Sequence, residues 1–183
     1  MYVVAGCNGS GKSTFMRSVT TFRGAQVIDP DALFAELGSW KAVVSCVDRT
    51  LAMRADLVLE TTLAGRTILQ KMHAAKANGY AIVLIFIGTA TPVLNIGRIQ
   101  TRTRLGGHVI SAQDVQRRWH TSLDHLRPAA RIADRILLLD NSSTRERFAL
   151  VASIDHGAIT RGQRTPRWAK AALSQIEGTN RWQ

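Results

Sequence analysis

Residues 5–14 read AGCNGSGKST and follow directly on the apolar run Tyr2-Val3-Val4. They satisfy G-x-x-x-x-G-K-[ST], with Gly6, Gly11, Lys12 and Ser13 at the fixed positions. In a Walker A loop the glycines let backbone N–H groups turn inward around a phosphate, at the start of a helix whose dipole favours negative charge. Ordinary residue frequencies would produce the pattern in roughly one chain of this length in a hundred; here the required strand precedes it and a helical pattern follows. Gly6, Asn8, Gly9, Ser10, Gly11, Lys12, Ser13 and Thr14 are therefore expected to bind ATP. Lys12 would reach the β- and γ-phosphates, and the Ser13 hydroxyl would be a ligand of Mg2+.

The chain has 183 residues, 45% of them hydrophobic, which is enough to close a core in one domain spanning 1–183. Its longest apolar run, residues 81–88 (AIVLIFIG), is far too short to span a bilayer. No basic-then-apolar leader opens the sequence, and Cys7 and Cys46 are too few for a disulfide framework, so the expectation is a cytoplasmic protein with no membrane association. The net charge of +11 fits nucleic acid, phosphate-rich small ligands or an acidic protein partner. Part of the excess is local, since residues 98–135 hold eight Arg against three Asp. Arg161, Arg164, Arg167 and Lys170 read as solvated surface.

Apolar runs alternate with helical patterns along the chain, the signature of βαβ units and a parallel sheet. Strands are expected at 2–5, 26–28, 56–60, 81–88 and 135–140, the fourth without polar alternation and so buried on both faces. Helices are expected from Ser13 to about Thr21, from Asp29-Pro30 through Leu37, over 40–54, up to Ala77, over 93–104 and over 111–126. Val115, Trp119, Leu123 and Leu126 fall in one stripe of the last of these. The segment RFALVASIDHGAIT reads as a small β-hairpin or edge addition, and a final helix begins near Thr165 and Pro166.

In open α/β sheets ligands bind beyond the carboxyl ends of the strands. That rim collects the loop, Asp29-Pro30-Asp31, Glu60-Thr61-Thr62 and the Arg-rich region after the fourth strand. Phosphoryl transfer needs positioning, charge neutralisation and a group to take the acceptor's proton. Asp29 as helix cap and Asp31 as base is a consistent division of labour, while both acids could equally decorate a first helical turn. Arg98 and Arg102 lie four apart on one helix face and can clamp a phosphoryl group. Spacing alone does not choose between Glu60 and Asp140 as the acid ending a Walker B strand. His108 could bind phosphate or end a turn; Arg118 lies beside the apolar stripe, within reach of a nucleotide, and Arg117 points farther away, to solvent or substrate.

VIDPDALF (27–34), LETTLAG (59–65), GRIQTRTRLGGHVI (97–110), VQRRWHTSLDHL (115–126) and PRWAKAAL (166–173) follow the loop in that order. Together they resemble the zeta-toxin family, whose best-known members are ATP-dependent kinases of UDP-N-acetylglucosamine held in check by a small antitoxin. The resemblance runs from about Tyr2 to about Ala172, and its R-x-x-x-R-x-x-x-G-G-H stretch is distinctive. It implies a P-loop kinase sheet of about five strands in the order 2-3-1-4-5, helices on both faces, and a helical Arg-rich lid at about residues 91–126. It further implies Lys12 as the phosphate lysine, Asp31 as catalytic base, Glu60 with Thr61 and Thr62 as acceptor-binding residues, and Arg98 and Arg102 as the lid arginines. The order 2-3-1-4-5 sets the third strand beside the loop, which favours Glu60 over Asp140 for any Walker B-like duty. A small helical antitoxin is the implied partner. The family helix carries a further basic residue where Thr121 stands here.

Two other functions share the loop. A polynucleotide 5′-hydroxyl kinase would use the basic surplus along a nucleic-acid backbone, but aromatic residues are not interleaved with the Arg cluster as a stacking platform would want. A nucleotide-dependent binding protein would hydrolyse ATP slowly and need no acceptor.

Overall fold

The apolar runs become the ladders of one sheet in a computed structural model that describes residues 1–107 and 109–177, the Asp31 side chain excepted. β1 (Tyr2–Ala5), β2 (Gln26–Ile28), β3 (Leu57–Thr61), β4 (Val83–Gly88) and β5 (Arg135–Asp140) are parallel, in the order β2-β3-β1-β4-β5. β6 (Ala149–Asp155) and β7 (Ala158–Arg161) add antiparallel to the free edge of β5, so the sheet has seven strands where about five were expected. The reason is physical: the outer edge of β5 carries unpaired N–H and C=O groups, and the hairpin satisfies them.

Side-chain alternation sorts the strands onto two faces. Val3, Leu57, Leu59, Leu84, Phe86, Ile136 and Leu138 pack with α3 (Trp40–Ala52), α4 (Arg66–Ala77), α6 (Ala112–Ile132) and α7 (Arg167–Glu177). Val4, Val58, Ile85, Ile87 and Leu139 face α1 (Lys12–Ser18), where Phe15 and Met16 meet Phe22 and Phe148. The expected two-sided burial of the fourth strand is observed. α2 (Pro30–Leu37) and α5 (Pro92–Arg104) complete the rim.

Three helices end elsewhere than the pattern predicts, α3 closing at Ala52 two residues short of the expected 54. α1 stops at Ser18, because Val19 turns extended (φ −112°, ψ 144°) and packs into the second cluster. α6 runs on from Leu126 to Ile132 through Pro128. Burial of Ala129, Ala130 and Ile132 continues its stripe, and the carbonyl that Pro128 deprives of a partner belongs to the exposed Asp124. The capping devices are local: Ser39, Thr91 and Ser111 side chains accept from Ala42, Leu94 and Asp114 backbone N–H groups at the starts of α3, α5 and α6.

α7 closes the first face through Trp168, which is 6% exposed. Its indole N–H donates to Asp140 Oδ1 at 2.8 Å, and its ring lies on Gly88 so closely that a Cβ there would sit 2.3 Å from Trp168 Cζ2. Gly88→Ala therefore overpacks this contact and should lower stability by about 1–3 kcal/mol. Urea unfolding checks it: the midpoint falls while the m-value is unchanged, and an unaltered midpoint would mean that α7 does not dock this way.

Candidate functional site

The loop leaves β1 as a continuation of its ladder: Gly6 N–H donates to Thr61 C=O at 3.2 Å. Gly6 then takes φ 143°, and a Cβ there would lie 2.3 Å from the Ile87 carbonyl oxygen, so only glycine passes this point. Gly11, at φ 101°, sets the start of α1, and the N–H of Phe15 closes its first turn on the Gly11 carbonyl at 2.9 Å.

Alternation along β3 sends Glu60 to the same face as Val58, which is the α1 side. Its carboxylate meets the first residues of that helix. Ser13 Oγ donates to Glu60 Oε1 at 3.1 Å and lies 3.2 Å from Oε2. Lys12 Nζ stands 3.7 Å from Oε1 and also donates to the Cys7 carbonyl at 3.5 Å. Lys12 and Glu60 are 7% and 8% exposed. Two such charges are costly to bury singly, and each offsets the other's desolvation. Asp140 points to the opposite face, where Trp168 and Ser142 (2.6 Å) both donate to Oδ1. Glu60, and not Asp140, is the strand-end acid beside the loop.

The arginines divide by what they touch. Arg118 Nη1 donates to Asn8 Oδ1 at 3.0 Å, within the loop. Arg98 Nη2 donates to the Asn141 carbonyl at 2.8 Å and Nη1 to the Gly9 carbonyl at 3.4 Å. Burial, with Arg147 nearby, lowers the Arg98 pKa, and Asp140 opposes the shift. Arg102 is exposed and lines the cleft, its side chain passing over Gly107. Arg117 also lines the cleft and forms an exposed ion pair with Asp114 at 2.8 Å. That pair and the Ser111 hydroxyl hold the Asp114 carboxyl below its ordinary range.

On the other rim, Asp29 Oδ1 accepts from Ala32 N–H at 3.3 Å, the expected cap of α2. Asp31 is the second residue of that helix; its side chain lies outside the description, and His108 lies outside the described residues. Thr61 Oγ1 and Thr62 Oγ1 accept from Leu63 and Ala64 N–H at 3.0 and 3.4 Å, shaping the turn after β3. Loop, arginines and this turn border one cleft of about 1470 Å³. Its far wall is apolar, with Phe34 and Trp40 stacked at 4.5 Å and 16° beside Val43 and Val44.

Sequence reasoning passed over Asn95, Asn141 and Arg147. Asn95 is fully buried and donates to the Asn8 carbonyl at 2.7 Å; Asn141, 2% exposed, donates to the Ser10 carbonyl at 2.7 Å. Arg147 lines the cleft and lies over the Phe148 ring. A single Asn in a helix or after a strand carries no periodic signal, so only its neighbours in space reveal it. Among the described residues no cluster of three or more His, Cys, Asp or Glu could hold a metal, and no helix is long and apolar enough to cross a membrane.

No protein-family model matches the chain. A stretch of 124 residues is 32% identical to an uncharacterized protein of Haemophilus influenzae, covering 62% of this chain and 88% of that protein. The structure is similar to a chain of the PezAT chromosomal toxin–antitoxin system of the human pathogen Streptococcus pneumoniae, with a TM-score of 0.65 and 18% identity over 97% of this chain and 84% of that one. A chain of the native AvrRxo1-ORF1:-ORF2 complex matches with a TM-score of 0.61 and 11% identity, over 96% of this chain and 62% of that one. The same complex solved with ATP matches with a TM-score of 0.56 and 12% identity, at the same coverage. At these identities the likeness to the solved structures is one of fold.

Cys7 sits inside the loop, 3% exposed, with its thiol directed at the Val115 carbonyl at 3.4 Å. Burial pushes this thiol up from 9.0 to about 11, against the opposing pull of Lys12 and Arg118. The unfolded thiol ionises first, so this group's contribution to stability is constant below about pH 9 and is lost as the pH rises towards 11. At pH 8 iodoacetamide should modify Cys46 in the folded protein and reach Cys7 only after unfolding. Peptide mass mapping checks this, and rapid labelling of Cys7 in the folded state would contradict its burial.

Proposed function

From a chain that belongs to one family with the Haemophilus influenzae protein and has a zeta-toxin-like P-loop kinase fold, we propose a kinase that moves the γ-phosphoryl group of ATP to an acceptor hydroxyl. One observation carries the reading: Lys12 and Ser13, the two chemically active positions of the loop, converge on the buried carboxylate of Glu60 at the floor of the cleft.

Lys12 and the loop amides bind the triphosphate, and Glu60 holds the Ser13 hydroxyl in place. The donor set suits Mg2+, for which hard oxygens from one or two side chains suffice alongside phosphate and water; Ser13 and Glu60 would hold it. When bound, the ion neutralises charge on the phosphate groups. Arg102 and Arg117, exposed along the cleft, and Arg98 at the loop supply positive charge on the lid side. Arg118 holds Asn8 and borders the nucleotide. We assign Asp31 as the base, since Asp29 is engaged as the helix cap; Asp31 would take the acceptor's proton as the acceptor oxygen bonds to the γ-phosphorus and the bond to the β–γ bridging oxygen breaks, releasing ADP. Thr61, Thr62 and His108 are assigned to the acceptor, whereas Glu60, which the resemblance implies for the acceptor as well, is assigned to the loop because Ser13 and Lys12 engage its carboxylate.

The acceptor is a nucleotide sugar, with UDP-N-acetylglucosamine first on the grounds of the zeta-toxin resemblance. The stacked Phe34–Trp40 wall supports an acceptor with flat or apolar parts on that side. By the same reasoning the chain acts as a toxin, and its partner is a small antitoxin that covers the ATP side of the cleft.

Incubation with ATP, Mg2+ and a panel of nucleotide sugars, read by mass for one added phosphate, tests the acceptor. Lys12→Ala should abolish transfer and weaken ATP binding. Asp31→Asn keeps the shape but cannot take the proton, so transfer should fall by about 10² to 10⁴ with ATP affinity retained. Asp29→Asn should change little, because Asn also caps well. An active Asp31→Asn beside a dead Asp29→Asn would reverse the two roles.

A further inference from the structure

Four consecutive carbonyls of the loop each accept a bond from a different side chain. Cys7 C=O takes Lys12, Asn8 C=O takes Asn95, Gly9 C=O takes Arg98 and Ser10 C=O takes Asn141. Lys12 belongs to the loop motif itself. The other three come from outside it, two from α5 and one from the residue after β5. In a trans peptide the N–H of the next residue points opposite the carbonyl. Fixing the Asn8 and Ser10 carbonyls outward therefore aims the N–H groups of Gly9 and Gly11 the other way. The plane between Gly9 and Ser10 is held from both ends, since Ser10 N–H also donates to Cys7 C=O at 3.0 Å.

The holders are themselves held. Asn95 is fully buried, and its Oδ1 accepts from the Thr89 hydroxyl, which fixes which way the amide points. Trp119 Nε1 closes on Thr89 at 3.3 Å. Asn141 continues the sheet, its N–H donating to Gly88 C=O at 2.9 Å, and its carbonyl takes the second arm of Arg98. The approach is close enough to dictate glycines: a Cβ on Gly9 would lie 2.7 Å from the Asn95 carbonyl oxygen, and one on Gly11 would lie 2.5 Å from Asn141 Nδ2.

We infer that Asn95, Arg98 and Asn141 are positioning residues that clamp the loop carbonyls outward, so that its amides stand ready for a polyphosphate before one arrives. The inference rests on the reading of this loop as a triphosphate site. It gives Arg98 a different task from a guanidinium aimed at the transferring phosphoryl group. The clamp acts on the phosphate-facing backbone, so its loss is felt in ground-state binding of any polyphosphate, with or without a nucleoside.

The test is direct binding to the full chain by calorimetry, with MgATP and with inorganic tripolyphosphate as probes, well below each variant's melting temperature. Arg98→Ala and Asn141→Ala should each weaken both probes by roughly 5- to 100-fold, the range expected when a buried carbonyl loses its donor. Arg98→Lys, which keeps the charge but not the two-armed fork, should show a large part of the loss. Arg104→Ala, removing an exposed charge from the same helix, should weaken binding by less than about twofold. Thermal melts separate the clamp from mere stability: a variant with a lowered melting temperature but wild-type affinity while folded would overturn the proposal. So would equal losses in Arg98→Ala and Arg104→Ala, or an Arg98→Ala whose ATP affinity is intact while kcat falls. A wild-type protein that binds neither probe would instead remove the triphosphate reading on which the clamp rests.

Discussion

The hydrogen-bonded register of β3 against β1 is the constraint on which the rest of the site depends. Val4 lies opposite Glu60 and Ala5 opposite Thr61, and the ladder extends one step farther, from Gly6 N–H to Thr61 C=O. Side-chain alternation then leaves Glu60 no choice of face. It shares the side of Val4 and Val58, where α1 begins, and so meets Ser13 and Lys12. A slip of one residue would turn the carboxylate to the face packed by α3 and α4 and leave the lysine buried without its counter-charge.

The same parity gives Asp140 a different occupation. β5 presents Ile136 and Leu138 to the first face, and Asp140 follows them there, to be taken up by Trp168 and Ser142. Two acids that look alike in sequence, each ending an apolar strand, thus divide into one that serves the loop and one that docks the C-terminal helix. The hairpin β6–β7 completes this side by pairing the outer edge of β5, and the Arg135–Asp155 ion pair at 2.6 Å marks its register. Both partners are exposed, so that pair contributes little to stability.

On the lid side, α5 and α6 are joined to the loop near their bases. Asn95 and Arg98 hold loop carbonyls, Arg118 holds the Asn8 side chain and Cys7 points at the Val115 carbonyl. Arg102 and Arg117, farther from these anchors, are exposed to the cleft. On the kinase reading proposed above, a base tied by these bonds with exposed guanidinium groups beyond it would combine two needs of phosphoryl transfer, fixed geometry at the phosphates and charge that can adapt to an incoming acceptor.

The sequence by itself determined the loop, the five parallel strands in outline, the Asp29 cap, the Arg-rich helix and the edge hairpin. These rest on local chemistry: glycines for positive φ, apolar runs for buried strands, a side-chain oxygen at a helix start. The extension of α6 through Pro128 was not legible, because burial of Ala129, Ala130 and Ile132 outweighs a local helix breaker and burial is a tertiary fact. Spacing left Glu60 and Asp140 equivalent and only the implied strand order favoured Glu60; the tertiary structure supplied the contacts that place Glu60 on Ser13 and turn Asp140 to Trp168. A residue's parity within its strand is local, but which helix covers that face depends on how the strands pair. It alone gave Asn95 and Asn141 their partners, since an amide in a helix or after a strand acquires meaning only from the carbonyl that comes to lie beside it. It also separated Arg98, bound to two backbone carbonyls, from Arg102, which shares its helical face and is exposed. Four residues of spacing put both on one side of α5, and the 6 Å or so of rise between them decided which one reached the loop.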